Sequence, residues 1–131
     1  GPTIRKKYVQ KIVQVANDLN ADLIALTGDI GDGPVSTYRD DIAPFSQLRS
    51  HYGVFYVPGN HEYYWNANEW MNVMNNLKVI VLLNRGKKLM VKDTEILVGG
   101  VADPVGHPGP DPLSVIQAGR ESALKILLSH R

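Results

Sequence analysis

Side chains able to bind a metal ion or move a proton follow three apolar segments of this 131-residue chain. The pattern comprises Asp29 after residues 23–26, Asn60 and His61 after residues 54–57, and His130 after residues 123–128. Carboxylate, amide and imidazole groups all bind divalent cations, and imidazole also carries protons near neutral pH. Because α/β proteins place their chemistry at the carboxyl ends of strands, the three sites together predict a metal centre.

Each of these residues also has a purely structural interpretation. Asp29 lies beside Gly28, where the backbone can approach closely, but many loop aspartates only form an Asx-turn or cap a helix. Asn60 offers a neutral amide, useful where other groups supply charge, and His61 can bind metal or act as an acid. Residues 59–62 are expected in a tight loop. Gly-Asp after one strand and Gly-Asn-His-Glu after the next are more specific together than either alone.

Composition restricts the function classes. The chain has 14 basic and 13 acidic residues and a formal net charge of +1, so no nucleic-acid partner is expected from charge. Cysteine is absent, which excludes disulfides and thiolate metal sites. No apolar run approaches the roughly 20 residues of a membrane-spanning helix. The length suits one domain over 1–131, and both ends resemble cut ends, so we expect a partial domain from a longer protein.

The elements that position these residues follow from apolar periodicity. Helices are predicted at about 5–19, 37–50 with a break at Pro44, 68–76 and 113–120, and strands at 23–27, 54–57 and 123–128. Three further strands, 79–83, 88–91 and 96–101, are separated by turns short enough to predict antiparallel hairpins. Residues 102–112 are expected to form a loop. The pattern predicts an α/β protein with a mixed sheet, or two stacked sheets, and helices outside.

The residues Gly28-Asp29-Ile30-Gly31-Asp32-Gly33 and Gly59-Asn60-His61-Glu62, with Ser129-His130 as a weaker third element, resemble the calcineurin-like metallophosphoesterase superfamily. The resemblance spans nearly the whole chain. Within the superfamily it is similar to the bacterial membrane-associated or exported type. It implies a four-layer α-β-β-α sandwich, incomplete in this chain.

The resemblance also implies roles. Asp29 matches a carboxylate that bridges two metal ions, and Asn60 and His130 match ligands of the second ion. His61 matches the catalytic histidine, and His61 and Asn60 would contact the substrate phosphate. Asp32 matches a carboxylate that orients the histidine in the phosphoprotein-phosphatase branch, although Gly33 stands where that branch has arginine. The ions would be divalent: manganese, iron, zinc or similar.

The sequence departs from the family in two places. Members carry an Asp-x-His segment on the first strand and a Gly-His-x-His segment near the end, and this chain has neither. We therefore expect this segment alone to bind metal weakly or not at all and to be inactive. We also expect another piece of chain to complete the sheet. Membrane attachment would lie in segments absent here, and the compartment is unknown.

The predicted function is metal-dependent hydrolysis of a phosphate ester by the intact protein. One alternative is a non-catalytic scaffold that keeps the fold without the metals, which leaves Asp29, Asn60 and His61 without a purpose. A second alternative is a nucleotide-binding loop at 28–33, whose glycine spacing does not match the dinucleotide fingerprint.

Overall fold

A computed structural model describes residues 6–131, which form two three-stranded sheets with helices packed on them. The elements are α1 (Lys6–Asp18), β1 (Ile24–Leu26), α2 (Val35–Ile42), a 3-10 helix (Ala43–Gln47), β2 (Val54–Tyr56), α3 (Asn60–Tyr64), α4 (Ala67–Asn76), β3 (Ile80–Val81), β4 (Arg85–Val91), β5 (Thr94–Gly100), α5 (Pro112–Ala118) and β6 (Leu124–Leu128). The predicted α/β class with two stacked sheets is confirmed. Residue 5, at the predicted start of the first helix, lies outside the described residues.

The first sheet, β1-β2-β3, is parallel throughout, and its central strand is buried on both faces. Val54 and Tyr56 belong to the cluster formed with the helices, whereas Phe55 and Val57 pack with residues of the second sheet. Successive side chains of a strand point to opposite faces. An unbroken apolar run in the sequence therefore fills both interfaces of this sheet at once.

The second sheet, β4-β5-β6, has an antiparallel and a parallel pair. Val98 packs toward the first sheet, and Gly99 faces α5, where a Cβ would collide with the Val115 side chain. The layer order is therefore helices, first sheet, second sheet and α5, which agrees with the four-layer sandwich that the resemblance implies.

One strand pairing was predicted wrongly. The segment at 79–83 does not form a hairpin with the next strand, because β3 pairs parallel with β2 in the first sheet. The chain leaves that sheet at Asn84, whose backbone is left-handed (φ 51°) and whose Oδ1 accepts hydrogen bonds from the Ala102 and Asp111 amides. The predicted hairpin between β4 and β5 is confirmed.

The structure confirms one predicted helix break and shows a helix in place of a predicted loop. Pro44 ends α2 as predicted, and the chain continues as a 3-10 helix. The loop predicted at 59–62 is wrong in part, because residues 60–64 form the short helix α3. None of the helices in residues 6–131 is both long and apolar enough to cross a membrane.

Candidate metal centre

Asp29 follows β1 at a point where two strand ends almost touch. Its backbone is left-handed, with φ 56°, and Gly28 before it has φ 97°. A Cβ on Gly59 would lie 2.6 Å from the Asp29 amide nitrogen and closer still to its Oδ1. Glycine at position 59 is what allows the chain after β2 to approach the Asp29 carboxylate.

His130, just beyond β6, brings the second sheet into the same place. Its Nε2 lies 3.2 Å from Asp29 Oδ2 and 3.0 Å from Asn60 Oδ1, while its Nδ1 lies 2.7 Å from the Thr27 carbonyl oxygen. Three residues distant in sequence therefore direct a carboxylate oxygen of Asp29, the amide oxygen of Asn60 and a ring nitrogen of His130 at a common point.

The donor chemistry at this point fits a cation. The Thr27 carbonyl can only accept, so Nδ1 of His130 carries a proton and donates it. In the neutral ring Nε2 then has a lone pair, which faces the lone pairs of two oxygens. Either a proton on Nε2 or a cation among the three groups resolves this arrangement. Metal-binding histidines commonly donate their other N–H to a backbone carbonyl.

The oxygen of Asn60 is the one turned toward His130, and its Nδ2 lies 3.5 Å from the Tyr64 hydroxyl. Across residues 6–131 no group of three or more His, Cys, Asp or Glu side chains is arranged to hold an ion, so the third donor here is an amide. Asp29, Asn60 and His130 would hold one divalent ion.

His61 and Asp32 form a second unit beside this one. His61 Nδ1 lies 2.9 Å from Asp32 Oδ1, and the Trp65 indole donates to the same oxygen at 3.2 Å. The hydrogen bond from His61, then that from Trp65, lowers the pKa of Asp32 below its usual value. A carboxylate held ionised on Nδ1 fixes the imidazole tautomer and leaves Nε2 for proton transfer.

Glu62 lies buried beneath both units. Its Oε1 accepts hydrogen bonds from the amides of Asp29 (2.9 Å) and Gly59 (3.0 Å) and from the Tyr56 hydroxyl (2.8 Å). Burial raises the pKa of Glu62 above its usual value, against these hydrogen bonds, which lower it. Glu62 is thus part of the buried interior of the fold directly below the candidate site.

Arg131 anchors the segment that carries His130. Its Nε and Nη2 donate to the two carboxylate oxygens of fully buried Asp103, at 3.1 and 2.9 Å. This pairing lowers the pKa of Asp103. The loop after β5 and the end of β6 are therefore tied together next to the site.

The structure thus brings Asp29, Asn60 and His130 into one group and His61 and Asp32 into another, and their chemical roles stay predictions. Sequence reasoning missed Trp65, the Thr27 carbonyl and the Asp103–Arg131 pair. No local pattern predicts these contacts. Glu62 had a signature, because a glutamate three residues after a helix N-cap often bonds back to the N-cap amide.

The order of these motifs and the fold around them match a known family. A family model described as calcineurin-like phosphoesterase matches residues 5–130. The chain belongs to the calcineurin-like phosphoesterase family. The resemblance read from the sequence is confirmed at this level. Such phosphoesterases generally use divalent metals, and the family name indicates a hydrolase of phosphoester bonds.

Several curated proteins are similar to this chain in sequence. A metallophosphoesterase of Caenorhabditis elegans is 32% identical over 139 residues, covering 100% of this chain and 29% of the relative. A transmembrane protein with metallophosphoesterase domain from Bos taurus is 33% identical, covering 79% of this chain and 25% of its own length. A metallophosphoesterase of Helicobacter pylori is 30% identical, covering 100% of this chain and 35% of its own length. The chain therefore spans about a third or less of these three proteins.

Proposed function

We propose that this chain forms part of an enzyme that hydrolyses a phosphate ester with divalent metal ions. The observation that carries the proposal is the convergence of Asp29, Asn60 and His130 from three strand ends, with the His61–Asp32 pair alongside. Family membership supports the same chemistry.

The residues divide the task between holding charge and moving a proton. Asp29, Asn60 and His130 would hold one ion, and Asp29 would share its carboxylate with a second. Ions bound there would supply Lewis acidity toward the phosphoryl oxygens and would activate water. His61 would contact the phosphate and, as the imidazolium with protons on both nitrogens, would donate the Nε2 proton to the leaving group while Nδ1–H stays bonded to Asp32. Asn60 would also contact the phosphate.

The test uses the whole protein with Mn²⁺ and two aryl phosphates, a monoester and a diester. His61→Asn should lower kcat about 10²–10⁴-fold and leave Mn²⁺ affinity intact, because His61 moves a proton and binds no ion. Asp29→Asn should lower both kcat and the affinity for Mn²⁺. The matched control is His51→Asn. His51 is exposed and precedes β2, so it lies at the opposite ends of the parallel strands.

The scaffold alternative gives a different result. A protein that only displays the fold binds no Mn²⁺ measurable by elemental analysis and hydrolyses neither ester. That outcome, or equal rates in wild type and His61→Asn, would refute the proposed enzyme. For the 131-residue chain alone we expect weak or absent metal binding and no activity, since it supplies three ligands for a two-ion centre.

We also propose that a further segment of polypeptide completes the first sheet. Within the described residues β1 is one of the two edge strands of this sheet. The backbone N–H and C=O of Ala25 point away from β2, because Ile24 and Leu26 carry the bonds to it. Nearby, α1 and the residue directly after it expose an apolar stripe, in which Tyr8 is 60% and Leu19 is 73% exposed. The relatives contain ample additional chain to supply such a segment.

Light scattering and binding of an apolar dye test whether the first sheet needs a further segment of polypeptide to complete it. The 131-residue chain alone should associate or bind the dye, because its open edge and apolar stripe lack partners. The whole protein should do neither at the same concentration. A chain that is monomeric, unfolds cooperatively and excludes the dye by itself would contradict the proposal.

Membrane association of the whole protein is a further proposal, supported by the name of the Bos taurus relative, a transmembrane protein with metallophosphoesterase domain. The attachment would lie in sequence beyond residues 6–131. Recovery of the protein in the membrane pellet after an alkaline wash would support it, and full release would contradict it.

A further inference from the structure

Glu62 connects the two strand ends that carry the proposed ligands. The three donors to its Oε1 are the amide of Asp29 after β1, the hydroxyl of Tyr56 in β2, and the amide of Gly59 at the start of α3. The side chain is fully buried, so no solvent competes for these bonds. One oxygen atom therefore fixes three backbone and side-chain positions around the site.

The link between Asp29 and α3 runs in both directions. Asp29 donates its amide hydrogen to Glu62, and Asp29 Oδ1 in turn accepts from the His61 amide at 3.1 Å. The left-handed backbone of Asp29 is less favourable for a residue with a Cβ than for glycine, so the surroundings must hold it. The bond to Glu62 holds the peptide group just before that residue.

We propose that Glu62 is a positioning residue that holds the carboxylate of Asp29 and the amide of Asn60 at ion-binding separation. The inference rests on the proposed metal centre. Glu62 lies two residues after Asn60 in α3, so its anchoring to Gly59 and Tyr56 sets where α3 begins. Its contribution is the reach and acceptor geometry of Oε1, since Oε1 carries all three bonds.

Two substitutions separate geometry from charge. Glu62→Gln keeps the length of the side chain and an acceptor oxygen but removes the charge. Glu62→Asp keeps the charge but shortens the side chain by one carbon, which withdraws the acceptor from all three donors. In the whole protein Glu62→Asp should weaken Mn²⁺ binding about 10–100-fold, the usual effect of removing a group that supports metal ligands. Glu62→Gln should stay within about threefold of wild type.

The measurements are Mn²⁺ affinity by calorimetry and exchange of the Asp29 and Gly59 amide hydrogens in the presence of chelator. Glu62→Asp should speed the exchange of both amides. Glu69→Asp is the matched control, because Glu69 occupies the same third position of α4 and is exposed. Val73→Ala controls for lost stability, since Val73 is a buried core residue of α4.

Three results would overturn the inference alone: wild-type Mn²⁺ affinity in Glu62→Asp, a larger loss in Glu62→Gln than in Glu62→Asp, or an equal loss in a Val73→Ala protein of the same melting temperature. A wild-type whole protein that binds no Mn²⁺ would overturn the proposed metal centre, and this inference with it. These outcomes therefore distinguish failure of the positioning role of Glu62 from failure of the proposed metal centre.

Discussion

Gly59→Ala tests whether the closeness of the two strand ends matters for function. The φ of Gly59 is −94°, which alanine adopts freely, so the substitution adds no backbone strain. Its only effect is the new methyl group. That methyl would lie 2.6 Å from the Asp29 amide nitrogen and would overlap the Asp29 Oδ1.

The size of the effect follows from that overlap. Unstrained contacts of a carbon atom lie near 3.5 Å, so the strand ends must part by roughly 1 Å. One of the atoms in the way, the Asp29 amide nitrogen, is backbone and cannot rotate aside as the Asp29 carboxylate can. A displacement of about 1 Å in a positioned group costs about 10²-fold in rate, which corresponds to about 2.7 kcal/mol of activation free energy.

The assay is kcat/KM for Mn²⁺-dependent aryl phosphate hydrolysis by the whole protein, together with Mn²⁺ affinity. Gly109→Ala is the control, because the nearest atom to its Cβ is 4.0 Å away and its φ lies outside the left-handed range. The control should stay within about twofold of wild type. Activity of Gly59→Ala within threefold of wild type would refute the argument that this approach positions Asp29.

Three further predictions concern the surrounding groups. Asp32→Asn should lower kcat about 10²–10⁴-fold with unchanged Mn²⁺ affinity, because only the orientation of His61 is lost, and equal affinity and rate losses would contradict this. The pKa of Asp103 is lowered in the folded state, so ionised Asp103 stabilises the fold at every pH above its unfolded-state pKa of about 3.9. That stabilisation is lost as the pH falls through the lower pKa of the folded state. Urea titrations should show a constant difference in unfolding free energy between wild type and Asp103→Asn near neutral pH, and a shrinking difference in acid. Trp70→Phe should cost about 2–4 kcal/mol of unfolding free energy, followed by circular dichroism, since it removes the five-membered ring of a buried indole and the hydrogen bond from Nε1 to the Gly33 carbonyl.

The elements that the sequence predicts well are those whose own residues determine them. Residues 54–57 are apolar throughout because both faces of β2 are buried, and that run is visible without a structure. Pro44 removes an amide donor wherever it stands, so the break after α2 is local too. The partner of β3 is different. Its apolar composition suits either sheet. Which sheet it joins depends on the hydrogen bonds of Asn84 with Ala102 and Asp111, which lie 18 and 27 positions further along the chain.

The candidate site shows the same division. The order of the motifs predicts that Asp29, Asn60 and His130 meet, because strand ends of an α/β protein share an edge. Helix α3 has five residues, too few to show helical periodicity. The Trp65–Asp32 bond depends on how α3 ends, which no spacing in the sequence fixes.

His130 comes from the second sheet, whereas Asp29 and Asn60 follow strands of the first. A cation held by the three would fasten one sheet to the other, so its binding energy would also count toward keeping the layers together. At a free concentration one hundred times the dissociation constant this linkage amounts to about 2.7 kcal/mol. Metal supply in the cell would then govern how long the folded protein survives as well as how fast it works.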